Sequence, residues 1–370
     1  MSAAHFKRDC LAIAQDQLRQ GRVNRRQFLQ IAAALGFAPL AGSAPSTAKG
    51  QATELVIANF GGDAVDFMGE AWGEPYTRDT GIEVIFDGAT PLPGKIIAQV
   101  DANNVVWDCC DGDGFAIIDL GRKGYLEACD YSIVDAAMIR EGYAYQHGFP
   151  NYFYSFVLAY DASKFGADPP TSWTDFLNFD KYPGKRTLWK YMIGMPEAVL
   201  LGAGTPKDAL YPMDMAKAIE VLRPVKDNFI FWGSGAESQQ MFLNEEVTMG
   251  CIWHTRASVL ERDTGGKITW TWNDGIYCPA GWMVPKGNPA GPAIQPFMAS
   301  TLIPERQVKL LELLGNGPSN PAASAMLPDE LKRIDPGHPD NLVKQIFRSE
   351  EWYADHYDAA TNAWLDGIAG

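Results

Sequence analysis

The residues of this 370-residue chain that could do chemistry are scattered, and each local arrangement falls short of a working site. Gly61-Gly62 follows an apolar segment, as a phosphate-cradling turn would, but no third glycine stands at dinucleotide spacing and no Gly-Lys-Ser/Thr follows. Asp111-Gly112-Asp113-Gly114 suggests a calcium loop; with Gly114 at the turn position, the first ligand would be Cys109 and the last Leu120, so the loop fails. Gly233-Ser234-Gly235 lacks the outer glycine spacing of a nucleophile elbow. His5, His147, His254, His338 and His356 form no ligand pair at helical spacing. His254 and Ser258, four residues apart, are the one local base–nucleophile pair that a secreted hydrolase could use. An iron site would need clustered tyrosines with an acid or histidine, and no two tyrosines are adjacent. The chemistry expected is binding without catalysis, metal or cofactor.

The elements that would position a binding site alternate. Glu54–Asn59 reads as an apolar strand, turned by Gly61-Gly62 into a helix from Ala64 that Pro75 disturbs and Thr80-Gly81 ends. Ile82–Phe86 is the next strand, Lys95–Asn103 a helix, and Val105–Cys110 a third strand. Ser155–Tyr160 is a long apolar strand where a first lobe ends. A second region opens at Pro169-Pro170. It holds a helix from Met213 to about Val225, the strand Val247–Trp253, a helix near Thr255 and the strand Ile268–Trp272. Ile276–Val284 then crosses back towards the first lobe, and the remainder is helical, ending in an aromatic-rich stretch. Such alternation predicts an α/β fold of two lobes joined by strands. The expected divisions are 1–48, 49–157, 158–282 and 283–370: a leader, the first lobe, the second lobe, and a return to the first lobe with C-terminal helices.

The leader is the clearest compartment signal. Arg25-Arg26 precedes Phe28-Leu29, then the apolar run Ile31–Leu40, too short to span a bilayer, and then small residues. The pattern resembles a twin-arginine export signal and predicts a periplasmic protein that meets the twin-arginine translocase during export. No cysteine follows the run, so a freely diffusing protein rather than a lipid-anchored one is expected. The whole chain carries a formal net charge of −14, and leaving out the leader removes more bases than acids. A surface of that sign repels nucleic acid and anionic lipid. Cys109, Cys110, Cys129, Cys251 and Cys278 remain, an odd number that leaves at least one thiol unpaired, and their spacing matches no zinc pattern. Buried inert thiols are expected, with one bridge left open. Cys109 and Cys110, adjacent on a strand, should face opposite sides.

Several segments resemble the periplasmic solute-binding proteins of spermidine/putrescine ABC transporters: Tyr76-Thr-Arg-Asp-Thr-Gly-Ile-Glu-Val84, Trp107-Asp108, Pro170-Thr-Ser-Trp-Thr-Asp-Phe176, Tyr182-Pro-Gly-Lys185 and Glu245-Glu-Val-Thr-Met-Gly-Cys-Ile-Trp253. Their order and spacing span nearly the whole chain after the leader. The resemblance implies a type II-like periplasmic binding fold, a monomer in which two α/β lobes close by hinge bending over a solute and deliver it to membrane permease subunits.

By position, the resemblance also implies a site. Phe60, Gly61 and Asp63 lie at the end of the first strand, and Asp113 and Phe115 follow the third. Tyr154 lies near the crossover, and Tyr353 could cap the cleft. Ser234 stands where a loop serine meets ligand, and Trp253 where a tryptophan stacks on it. Trp72, Trp107, Trp173, Trp189, Trp232, Trp270, Trp272 and Trp282 are assigned to packing. The departures are chemical. Cys278 and Ala280 replace a tryptophan and an aspartate, and Lys190, Tyr191, Ile193 and Gly194 stand where polyamine binders carry acids. Arg256 adds a positive charge beside Trp253. A small organic solute, a polyamine or other amine-containing compound, is the expected cargo, with a zwitterionic or anionic compound (an amino acid derivative, opine or phosphonate) as the alternative.

Overall fold

The computed structural model describes residues 52–369, so the Arg25-Arg26 leader lies outside the described residues. Two β/α halves are built to one plan. In the first, β1 (Glu54–Ala58) pairs in parallel with β2 (Glu83–Asp87) on one side and β3 (Cys109–Asp113) on the other. β3 then pairs antiparallel with the end of a long strand that arrives from the other half. In the second, β6 (Arg186–Trp189) lies parallel between β7 (Phe229–Trp232) and β8 (Met249–Trp253), and β8 pairs antiparallel with β5 (Tyr152–Asp161). Each half thus shows three parallel strands bordered by one antiparallel strand. The short strand β4 (Gly148–Phe149) adds to the first half.

β5 and β9 (Ile268–Met283) carry the chain between the halves. Residues 268–271 of β9 pair with the far end of β5, residues 276–279 with its near end, and residues 280–283 with β3. The segments Ile268–Trp272 and Ile276–Val284, expected as separate strands, belong to one 16-residue strand. Its register jumps between Phe156 and Leu158 of β5, leaving Trp272–Gly275 bulged out with Asp274 at φ +55°. β10 (Gly317–Pro318) and β11 (Ile346–Phe347) pair with β5 and β9 at the same junction.

The strands of the first half are covered on both faces, and their side chains alternate between two cores. Leu55, Ile57 and Cys109 enter one core with Trp72, Trp282 and Phe297, while Ala58 and Cys110 enter the other. Trp282 anchors the first core, edge-on to Trp72 with ring centroids 5.3 Å apart and donating its indole N–H to Thr301 Oγ1 at 3.0 Å. The second core runs through the junction into the other half. All five cysteines after the leader are free.

Helices lead from the strand ends. α1 (Asp63–Met68) passes through a π-helical turn, Gly69–Gly73, into α2 (Glu74–Thr80). Pro75 does not end the helix as a break would: it lacks an N–H and crowds the carbonyl four residues back, and the widened turn just before it relieves both. The turn is seen in the Glu74 N–H bond to Gly69 O, and it keeps Met68, Trp72 and Tyr76 in one core. Gly81, at φ +76°, ends α2 in the left-handed conformation. The third strand begins at Cys109 rather than Val105, because Asp108 turns its carboxylate back to accept the Val56 and Ala290 N–H groups. α3 (Pro93–Asp101) and α4 (Gly114–Arg122) complete the first half before the crossover.

The second half carries α5 (Trp173–Leu177), α6 (Met195–Gly202), α7 (Met215–Leu222), α8 (Gly235–Leu243) and α9 (His254–Asp263). After β9 the chain returns to the first half through α10 (Gln295–Thr301) and α11 (Pro304–Leu314). Three short helices follow, α12 (Pro321–Ala325), α13 (Asp329–Lys332) and α14 (Pro339–Leu342), before α15 (Glu350–Ala369). No helix among the described residues is long and apolar enough to cross a membrane.

Arg348, between β11 and α15, is fully buried where the halves meet. Its guanidinium donates to Asp113 of β3 at 2.9 Å, to Glu350 at 2.7 and 2.8 Å, and to the Pro279 carbonyl of β9 at 3.3 Å. Tyr154 of β5 shares the Asp113 carboxylate at 2.6 Å, and the rings of Phe115 and Tyr353 lie against the cation at 5.2 Å. Tyr353 continues the network, donating to buried Glu197 of α6 at 2.7 Å and accepting from the Gly194 N–H. α15 itself packs on α4 of the first half and α7 of the second. Removing the guanidinium leaves the half-buried Asp113 and the buried Glu350 without their cation. Arg348→Met should therefore cost about 3–5 kcal/mol of stability, read as a large drop in the denaturant midpoint.

A second buried acid makes a pH prediction. Asp111 accepts from Asn151 Nδ2 at 2.9 Å and Tyr152 OH at 3.0 Å, yet burial raises its carboxyl from an ordinary 3.8 to about 7. A raised acid binds its proton more tightly in the folded state. Its contribution is thus complete at low pH and is lost as the pH climbs from about 4 through about 7. Asp111→Asn should flatten that part of the stability–pH curve, measured by urea denaturation at a series of pH values.

Candidate ligand-binding site

The site lies where strands of both halves end and helices begin, the usual place for ligands in open α/β sheets. On the first half, β1 runs into Phe60, whose ring is 43% exposed, then Gly61 and Gly62, with Asp63 as the exposed first residue of α1. Gly61 sits at φ +76°, and a side chain there would meet the Gly88 carbonyl at 3.0 Å, so the turn requires glycine. Asp63 makes no capping bond to its helix.

The second half supplies three parallel strand ends. β6 runs into Trp189-Lys190-Tyr191, β7 into Trp232-Gly233-Ser234, and β8 into Trp253-His254. Trp189 and Trp232 stack with centroids 5.2 Å apart and planes 14° from parallel. Trp253 stands edge-on to both, at 5.3 and 5.0 Å. Phe156 approaches from β5, and Tyr191 closes the outer edge against Trp189 at 5.1 Å. Trp232 donates its indole N–H to Cys251 O, whereas the buried indole nitrogens of Trp189 and Trp253 have no partner. Trp232 is fully buried, as its assignment to packing expects, and backs the half-buried Trp189 and Trp253.

Arg256, on the first turn of α9, lies against this wall. Its Nε is buried with no hydrogen-bond partner, and a side chain at Gly235 would come within 2.6 Å of it. Burial pulls its pKa below the ordinary arginine value, opposed by the Asp63 carboxylate of the other half; the group stays cationic at neutral pH. An unpaired buried guanidinium nitrogen beside aromatic rings is a ready receptor for a carboxylate. Ser234 is the N-cap of α8, accepting from the Glu237 N–H at 3.3 Å, while the Glu237 carboxylate returns to the Gly233 and Ser234 amides. That capping box commits the Ser234 hydroxyl and the Gly233, Ser234 and Glu237 amides to the helix start.

The structure therefore groups Phe60, Gly61 and Asp63 on one half and Tyr191, Ser234, Trp253 and Arg256 on the other. Other expected contacts lie elsewhere. Asp113 and Tyr154 are half-buried but committed to each other and to Arg348. Phe115, Cys278 and Tyr353, expected as contacts, are 3%, 0% and 0% exposed. Phe115 and Tyr353 pack around Arg348, and Cys278 is enclosed within β9 with its thiol pKa raised far above normal by burial. None of the three presents a surface to a solute in this form. Arg348 and Glu197 were not foreseen, since a charge that is buried only by long-range packing leaves no local pattern.

His254 is no general base. Its Nδ1 accepts from the Ser155 N–H at 3.1 Å and its Nε2 donates to the Gly315 carbonyl at 2.8 Å, so both nitrogens are occupied. Burial lowers its pKa to about 4, which keeps it neutral. Among the described residues no group of histidine, cysteine and carboxylate side chains could hold a metal ion.

Comparison with known proteins places the fold. Residues 71–336 match the family described as bacterial extracellular solute-binding proteins. The chain is 28% identical over 328 residues to the gamma-aminobutyric acid-binding protein of Pseudomonas aeruginosa, covering 86% of this chain and 93% of that one. The solved Atu4243-GABA receptor superposes with a TM-score of 0.80 at 31% identity, over 85% of this chain and 97% of its own. MotA of Agrobacterium tumefaciens B6, solved with glucopine, gives 0.78 at 27% identity, over 85% and 99%. A spermidine/putrescine-binding PotD of Streptococcus pneumoniae gives 0.68 at 16% identity, which speaks to fold alone. These relatives are substrate-binding proteins rather than enzymes, and this chain belongs to the bacterial extracellular solute-binding protein family.

Proposed function

We propose that this protein captures a small zwitterionic solute, bearing a carboxylate and an amine, and delivers it to the permease of an ABC importer. It acts as a freely diffusing monomer in the periplasm after twin-arginine export. The observation that carries the reading is Arg256, whose buried Nε has no partner beside the half-buried Trp189 and Trp253 rings. The solute carboxylate takes the guanidinium, its carbon chain lies on the indole rings, and its ammonium faces Asp63 across the cleft. Relatives solved or named with gamma-aminobutyric acid and with opines support such a solute.

The polyamine alternative fits less well. A polyamine needs unpaired carboxylates at its ends, and Asp113 is already neutralised by Arg348. Arg256 and Lys190 would repel its ammonium groups.

A thermal-shift and calorimetric panel of ω-amino acids, opines, phosphonates and polyamines tests this. An amino-carboxylate at 100 times its Kd should stabilise the protein by about 2.7 kcal/mol, and spermidine and putrescine should leave the melting curve unmoved. Polyamine binding without amino-carboxylate binding would overturn the reading. Arg256→Gln should weaken the best solute by about 1.5–3 kcal/mol, tenfold or more in Kd, by calorimetry. Trp253→Ala should cost at least about tenfold, since stacked contact and apolar burial are lost together.

A further inference from the structure

The Gly233-Ser234-Gly235 segment carries two cations, one against each glycine. A side chain at Gly233 would come within 2.8 Å of Lys190 Nζ, and one at Gly235 within 2.6 Å of Arg256 Nε. Ser234 between them is extended, with φ −139° and ψ 157°. Residues two apart across an extended residue point to the same face, so both cations lie on one face of the segment, about 7 Å apart along the backbone. Trp253 is on that face too, with a ring carbon 3.1 Å from the position a Gly235 side chain would take. Tyr191 lies under Lys190, its ring centroid 5.2 Å from Nζ. That ring contact is the one interaction of the Lys190 ammonium, and no carboxylate pairs with it among the described residues. Glu237 also borders Gly233, with Oε2 3.0 Å from the same position, and that oxygen accepts from the Gly233 and Ser234 amides. The absence of side chains at both glycines is what leaves room for the two cations, and a solute lying along this strip meets a positive group near each end.

We propose that Lys190 reads a second acidic group, so that the preferred cargo is an amino acid derivative with two carboxylates separated by a chain of several bonds. This rests on the zwitterion reading, in which Arg256 holds the first carboxylate. Lys190 is solvent-exposed, so its role is selection between solutes rather than the bulk of the affinity.

The test is calorimetry at low ionic strength with the 2-amino-dicarboxylates from glutamate to 2-aminopimelate, each against its ω-amide, which removes the second charge alone. The wild-type protein should prefer at least one diacid over its amide by about three- to fivefold, the scale of one exposed ion pair, and the preference should shrink as salt is raised. Lys190→Met should abolish the preference, bringing diacid and amide to equal affinity. Arg256→Gln should weaken diacid and amide alike. If Arg256→Gln weakens both but Lys190→Met spares the preference, the second-acid assignment falls and the zwitterion reading stands. If Arg256→Gln changes neither, the zwitterion reading itself falls and takes this inference with it. Wild-type binding of no diacid, or equal binding of every pair, also overturns the inference.

Discussion

A single buried guanidinium sets the terms for the rest of this molecule. Arg348 can stay ionised out of water only because Asp113, Glu350, Tyr154 and the Pro279 carbonyl surround it with acceptors. Those partners come from β3, β5, β9 and the start of α15, the segments on which the two halves converge. Satisfying one cation therefore fixes the relative placement of the strands that pass between the halves. It also commits the Asp113 carboxylate to an internal cation.

That division of labour separates the rigid from the receptive. Behind the cleft, Tyr353, Glu197 and Tyr211 extend the Arg348 network into α6, so the floor is cross-linked by buried hydrogen bonds. In front, the two unpartnered indole nitrogens and the Arg256 Nε are polar atoms whose desolvation is not yet offset. Unsatisfied donors clustered on one wall are a cost to the empty protein that a bound solute can repay. The shared order of the halves places both walls at carboxyl ends of parallel strands, so neither half alone forms a site.

The alternation of strands and helices was legible because each parallel strand is short, apolar and bounded by turn residues. The first strand, the Gly81 stop and the Trp253 strand lie where periodicity places them. What was not legible was set by partners distant in sequence. β3 starts late because Asp108 bonds to Val56 and Ala290. β9 looked like two strands because its bulge puts Asn273-Asp274-Gly275, a turn-like composition, in the middle of a continuous ladder. Trp253 and Arg256 stand at a strand end and a helix start, the places that the apolar run before them marks. The burial of Cys278 and Tyr353 was not legible, because position in the chain does not reveal which side of a hinge strand or helix faces the core.

α15 has a consequence for how the chain acquires its structure. Arg122 of the first half pairs with Glu351 and Asp355 near the start of this helix, and Ile219 of the second half packs on Gly367 near its end. The last 20 residues of the described chain thus complete the surfaces of both halves. Without this helix docked, the α4 and α7 faces are uncovered and Arg348 lacks its bonds to Glu350. Completion of the two halves is therefore coupled through the docking of one helix.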